Sequence, residues 1–469
     1  MESEHIAFLL LLVSVIAVSF AVMHLTARGA ITKDSFLVAN WNVPIVAGAI
    51  TLTATWTQVP ALLFSGNQAY QGLPNFISFF GPNSLALPVA LLLAVGIREV
   101  LPRGYNIPQY MGEVYGGSAR LLTFFLAFTT LVIAVAYTIV GMKLWLAPQL
   151  GIPTWSIAFI LGVAAIAWVF HRGTQAAVGV DKIKVALVFG GLVGVILLWA
   201  YWSYGATTIA GKTPTNVPAG TWWTLWVMGV PLAASLIPGP IVNPDLGERF
   251  YAIDKKVLRR SYLIASFLFA LVVVVFGSLG VLAHWIRLSI TGKEIIAFGL
   301  LKSTLSSIGT VVVTVGLAVV LAAALASFVA SAGNLLTVEV YNRLYPNATS
   351  GQTVAVSRFV MVIPVVLGTL IAIPESIDIG VLLKALAPIR GELLIPIIVA
   401  VFWPKRTTGV YIFTGMLLGL VGGVVLTYAT MVSATPLPFL AYHGAPLGAL
   451  WAVFIPLIFV IIGWRKNRA

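Results

Sequence analysis

The chain has 469 residues, of which 60% are hydrophobic and 9% charged, and its mean hydropathy is +1.02. Soluble domains carry about 25% charged residues, so this composition excludes a soluble globular protein and leaves a polytopic membrane protein. There is no cysteine, which excludes disulfides and thiolate metal sites. The net charge of +13 would suggest a nucleic-acid partner in a soluble chain, but here it follows from topology, with the lipid bilayer as the partner.

The N-terminal run MESEHIAFLLLLVSVIAVSFAVMHLTARG places acidic residues before its apolar core and Arg28 after it. A secretory signal has the opposite polarity, so this reads as a retained span with its N-terminus outside. Apolar segments long enough to cross a bilayer then follow. The set is 5–27, 43–66, 77–98, 120–147, 153–171, 177–204, 221–245, 258–287, 308–340, 353–373, 379–403, 407–431 and 445–464. That is about 13 transmembrane helices, an odd number, which puts the termini on opposite sides. Most Lys and Arg, from Arg98 and Arg103 through Lys255, Lys256, Arg259 and Arg260 to Arg465, Lys466 and Arg468, fall on one side of that topology. Only Lys143, Lys212, Arg287, Lys293 and Lys302 fall on the other, so the positive-inside bias makes the C-terminus cytoplasmic and the protein a multi-pass component of the plasma membrane.

The second span, within Trp41 to Gly72, is interrupted halfway by Thr51, Thr53, Thr55, Thr57 and Gln58, with Pro60 directly after. In hydrocarbon every backbone N–H and C=O must be satisfied internally, so a helix broken at mid-depth persists only where it lines a protein cavity. The alternative is a kinked structural helix whose threonines bond back to their own carbonyls. A second interrupted stretch runs from Trp222 to Arg249 with Pro231, Pro238, Gly239, Pro240 and Pro244, too many prolines for one continuous helix. The two interrupted spans are the second and the seventh. A pair of Gly/Pro-interrupted spans at corresponding positions points to two inverted repeats around a midplane site. The expectation is an all-α single transporter domain over 1–469. It comprises an extra helix (5–27), a first repeat (43–204), a second repeat (221–403) and two C-terminal helices (407–464).

Position and chemistry nominate Trp56, Gln58, Tyr137 and Asn243 as contacts for a small-molecule solute, each a polar handle on an apolar or aromatic body. Each also reads as ordinary packing. The eleventh span carries Lys384, Arg390 and Glu392, with Pro388 and Gly391 loosening the helix there. Charges at that depth mark a pathway, a pair or a gate. Two readings stay open: Arg390 meets an anionic substrate through its planar guanidinium, or Lys384 or Arg390 neutralises Glu392 internally. Trp222, Trp223 and Trp226 read as an interfacial belt. The histidines His5, His24, His171, His284 and His443 are scattered singly, with no His-Glu-x-x-His and no nucleophile elbow. No enzyme, no cofactor and no ion-channel filter is expected.

Five stretches carry a resemblance. ATWTQVPALLFSGNQAYQGL is similar to "A-x-x-S … G-x-x-G-x-A-Y-x-x-G", and YNIPQYMGEVYG to "T-x-P-E-y-l-x-x-R-y-G". HRGTQAAVGVDKIKV is similar to "Y-x-x-G-G-x-x-A-V-x-x-T-D-x-x-Q", NPDLGERFYAIDKKVLRR to "D-Q-x-x-x-Q-R", and LLIPIIVAVFWPKRTTGVYIFTGMLLG to a Pro-to-Trp-Lys-Arg span end. In this order and topology they resemble the sodium/solute symporter family. The resemblance implies a leucine-transporter-like fold and cation-coupled uptake of a small organic solute by alternating access.

The resemblance also implies a sodium site built from second-span carbonyls, here near Thr53 and Trp56, and from ninth-span hydroxyls. Aligning TVEVY (Thr337 to Tyr341) with "T-x-D-x-Y" places Ala323 and Ala324 where the family carries hydroxyl residues. An alkali cation takes about six hard oxygen ligands, and an alanine methyl supplies none. Ser327, one turn on, can rescue a sodium site with Thr53 and Trp56 if the alignment slips. The sixth span departs too: Asp181 and Lys184 lie three apart on one helical face. The Lys184 ammonium can stand in for the cation, with its proton as coupling ion, or Lys182 and Lys184 serve only the positive-inside bias. Na+, H+ and ion-independent transport all stay open.

Overall fold

A computed structural model describes residues 29–150, 153–193, 221–285, 307–404, 406–431 and 438–466, together with residues 10, 13–15, 17–22 and 300. Most of the expected 5–27 span, the end of the 177–204 span and the loop from Ala206 to Gly220 lie outside the described residues.

The apolar segments fold as helices because a helix satisfies its own backbone in hydrocarbon. Among the described residues nine helices are long and apolar enough to span a bilayer, or ten when one bent pair is counted as a span. They run over Leu73–Val100, Gly117–Ala147, Thr221–Ala252, Leu258–His284, Thr310–Leu344, Ser350–Ala372, Ile379–Phe402, Gly409–Ala429 and His443–Lys466, and the bent pair is Ile45–Trp56 with Pro60–Gln71. Thr154–Phe170 is a shorter apolar helix, and Thr174–Ala186 runs on into a π-helical turn, Leu187–Val193. The chain is therefore an all-α, multi-pass membrane protein.

Burial separates core helices from peripheral ones. The most apolar windows of Gly117–Ala147 and Thr310–Leu344 are each 83% buried, against 28% for Gly409–Ala429. The first two flank the broken helix, whereas the last turns Val410, Leu418, Val421 and Val425 outward, where lipid tails are as good a solvent as protein.

The broken helix is the centre of the bundle. Ile45–Trp56 ends at Thr57 (φ −75°, ψ 79°), the chain re-enters helix through the π turn Pro60–Phe64, and the two halves are bent by 66°. Pro60 has no N–H to lose, so it starts the second half without leaving a donor unpaired. Small residues let neighbours approach this bend. A Cβ on Gly280 would land on the Gly66 carbonyl, so the Leu258–Trp285 helix packs backbone to backbone against the second half. A Cβ on Gly239 would fall on the Trp56 indole.

The second interrupted span breaks more gently. Asn243 is extended (φ −64°, ψ 125°) between Gly239–Val242 and Pro244–Ala252, yet Thr221–Ala252 reads as one span with no bend above 40°. The two interrupted helices are tied at their ends. The Val43 N–H donates to the Ala252 carbonyl at 3.0 Å and the Asp254 N–H to the Val43 carbonyl at 3.0 Å. Arg98, buried, donates from Nη1 to the Phe250, Tyr251 and Ile253 carbonyls, placing a cation on the negative end of Pro244–Ala252.

Candidate functional site

Breaking the helix frees peptide groups and turns Gln58 inward. Gln58 Nε2 donates to the Thr55 carbonyl at 2.9 Å and to Asp245 Oδ2 at 2.9 Å, and Gln58 Oε1 accepts from the Tyr137 hydroxyl. One amide therefore joins the first break, the core helix Gly117–Leu150 and the first turn after the second break. Beside it lies a cavity of about 10 Å³, lined by Trp56, Gln58, Asn83, Tyr137 and Arg390 with apolar walls from Pro60, Ala61, Leu236 and Leu383. That is room for about one water, so the pocket is contracted in this conformation.

The polar groups around it are under-used. Arg390 is 1% exposed. Its Nη1 donates to the Ser235 carbonyl at 3.1 Å, while its Nε and Nη2 have no hydrogen-bond partner. Trp56 Nε1, Asp245 Oδ1 and both side-chain polar atoms of Asn243 are also buried without a partner. Buried polar groups are normally satisfied, and among the residues that line the cavity Trp56 and Arg390 hold three donors that can receive polar atoms there.

Of the residues nominated from the sequence, Trp56, Gln58, Tyr137 and Arg390 line this one cavity, whereas Asn243 does not. The internal-pair reading of the eleventh span does not hold: among the described residues neither Lys384 nor Arg390 bridges Glu392, whose two carboxyl oxygens are buried with no hydrogen-bond partner. Helical geometry explains this, since residues two apart point to different faces and residues eight apart stand about 12 Å apart along the axis. Sequence reasoning missed Asn83, Asp245 and Ser235. Asn83 carried a usable signal, a polar side chain next to Pro82 inside an apolar span.

Behind the broken helix sits a buried ionic cluster. Asp181 accepts from the Thr51 hydroxyl, from Ser327 Oγ at 3.1 Å and from Arg249 Nε at 3.2 Å. Arg249 Nη1 reaches Glu248 Oε1 at 3.1 Å, and Glu248 also accepts from the Thr174 hydroxyl. Lys184 donates from Nζ to the Ala54 carbonyl at 2.7 Å. Asp181, Lys184, Arg249 and Glu248 are all at most 1% exposed, and charges at such depth persist only when paired and hydrogen-bonded.

The cluster separates the two sixth-span lysines. Lys182 is exposed, as the positive-inside bias asks, and Lys184 is not. The carbonyls expected to serve an ion are engaged by backbone: Thr53 accepts from the Thr57 N–H at 2.8 Å and Trp56 from the Gln58 N–H at 2.9 Å. The Thr53 hydroxyl bonds back to the Ala49 carbonyl at 2.8 Å. Ala323 and Ala324 are buried, on Ser307–Leu336, and add only methyls, while Ser327 is spent on Asp181.

At the far end, Trp222 is 84% exposed and Trp226 Nε1 donates to His443 Nδ1 at 3.0 Å, a placement that suits an interfacial belt. Among the described residues no group of three or more His, Cys, Asp or Glu is arranged to hold a metal ion.

Compared with family models and with curated proteins, the chain has no match. Solved structures do resemble it. A Na+-coupled sialic acid symporter in a substrate-bound outward-open state matches with a TM-score of 0.74 and 15% identity over 97% of this chain and 98% of its own. Mhp1, a nucleobase-cation-symport-1 family transporter in a closed conformation with bromovinylhydantoin bound, matches with a TM-score of 0.60 and 12% identity over 92% and 95%. Both are transporters of the leucine-transporter-like fold with inverted repeats, and that is the fold of this chain.

Proposed function

We propose that this protein is a secondary active transporter that moves a small organic solute across the plasma membrane by alternating access, in the manner of the sodium/solute symporter family. The observation that carries the reading is the contracted cavity at the first helix break, where Gln58 and Tyr137 are joined to each other and Arg390 keeps two unspent donors. Inverted repeats over 43–204 and 221–403 rock about that point, with the N-terminus outside and the C-terminus cytoplasmic. The substrate is a small carboxylate. Its anionic oxygens take the Arg390 Nε and Nη2 hydrogens in the bidentate geometry a guanidinium favours, and Trp56 supplies the apolar wall and a further N–H donor.

A site that receives polar atoms on one side and apolar surface on the other is what small-molecule recognition needs. The solved likenesses bind sialic acid and a hydantoin respectively, which supports a solute of that size range. The transporter is read as cation-coupled from the family resemblance, with sodium-independent transport, proton-coupled or facilitative, as the second reading favoured by the Lys184 ammonium on the Ala54 carbonyl.

Uptake into proteoliposomes decides. The purified protein is reconstituted and given a panel of monocarboxylates, amino acids and sugars under separate sodium and proton gradients. Saturable accumulation of a carboxylate is the expected outcome, and no saturable uptake of any solute under any gradient would overturn the reading.

A further inference from the structure

The carbonyl at Ala54 is the one to follow. In an unbroken helix it would accept from the N–H of residue 58, but the chain has turned, and the Gln58 N–H donates to Trp56 instead. The Ala54 carbonyl is left at the C-terminal, electronegative end of a half-helix, without the backbone donor a continuous helix would supply. Such ends of broken membrane helices are where monovalent cations are held. Here the Lys184 ammonium fills the place, 2.7 Å from the carbonyl oxygen.

The next oxygens belong to Asp181 on the same helix, and they are engaged elsewhere. Asp181, one helical turn before Lys184, holds its carboxylate between Thr51, Ser327 and Arg249. Ala323 and Ala324, where the resemblance places hydroxyls, are buried and add no oxygen, and the one neighbouring hydroxyl, Ser327, is spent on Asp181. One fixed positive charge supplies what a bound ion would, at no cost in binding entropy.

We propose that the Lys184 ammonium is the resident cation of the broken helix, occupying the place of a monovalent coupling ion, so that the transport cycle proceeds without sodium at this site. Only the last clause rests on the transporter reading. Occupancy by Lys184 stands or falls on ion binding alone.

Ion binding is read by thermal unfolding of the purified, detergent-solubilised protein in NaCl or choline chloride at matched ionic strength. The wild-type protein is expected to melt at the same temperature in both. Lys184→Ala is expected to melt several degrees lower, and to regain part of that loss saturably on addition of methylammonium, which the wild type ignores. The exposed Lys182→Ala serves as control and behaves as wild type. A saturable, sodium-specific rise in wild-type melting temperature overturns the proposal. So does a Lys184→Ala protein that melts as wild type and gives no response to methylammonium. If Lys184→Ala cannot be purified, the wild-type titration alone decides. Because neither readout needs transport, a failure here leaves the transporter reading standing, and a failure of every uptake assay leaves this one readable.

Discussion

The Gln58 amide and the Asp245 carboxylate are 2.9 Å apart, which fastens the break of the first interrupted helix to the turn that follows the break of the second. The same amide takes the Tyr137 hydroxyl on its other face. The link therefore joins the two interrupted helices and the core helix Gly117–Leu150 directly beside the cavity.

Removing the link strands two buried partners. Gln58→Ala is expected to lower stability by about 1–3 kcal/mol, the cost of leaving buried polar groups unpaired. Gln58→Glu is expected to be worse, because it sets a carboxylate against Asp245. Adding Asp245→Asn to Gln58→Glu returns part of the loss. Melting temperatures of the four proteins, wild type included, check the order.

Arg390 lines the cavity and its Nε and Nη2 have no hydrogen-bond partner. Truncating one member of a buried charged hydrogen bond costs 2–5 kcal/mol or more, so Arg390→Ala is expected to raise KM for a carboxylate by at least about tenfold. Arg390→Lys keeps the charge and loses the planar fork, and is expected to fall between the two. Concentration-dependent uptake measures this, and an unchanged KM in Arg390→Ala removes Arg390 from the substrate site.

Asp181 is the acceptor for Thr51, Ser327 and Arg249. Asp181→Ala leaves Arg249 with Glu248 alone in a fully buried setting and is expected to destabilise by about 3–5 kcal/mol. Thr51→Val, which removes one neutral donor, is expected to cost about 1 kcal/mol. A smaller loss for Asp181→Ala than for Thr51→Val would show that the cluster does not hold the bundle together.

Gly280 faces backbone, so no flexible side chain can move aside. Gly280→Ala is expected to cost about 1–3 kcal/mol through overpacking, with the second half of the broken helix pushed away. Gly316, in the helix Ser307–Leu336, has open space where its Cβ would stand. Gly316→Ala is expected to be neutral or to stabilise by up to about 1 kcal/mol through the unfolded chain. Thermal unfolding of the two variants compares them directly.

The helical class, both interruptions and the approximate positions of the nine or ten spans seen among the described residues were legible in the chain alone. The bilayer forces every backbone group into internal hydrogen bonds, so long apolar runs have one solution, and Gly and Pro have visible consequences where they stop it. Trp56, Gln58, Tyr137 and Arg390 could be nominated for the same reason: a polar group in a hydrophobic run is costly enough to need an explanation.

What only the tertiary structure decided is which of these polar groups meet. The partners of Gln58 lie 79 and 187 residues away, and no local pattern carries a pairing of that range. Lys182 and Lys184 look alike in sequence, yet the rotation of one helix puts the first outside and the second against a carbonyl that only the 66° bend could free. Glu392 and Arg390 look like a pair in sequence and are not one, because a side chain's direction from a helix depends on its angle about the axis, not on its nearness along the chain.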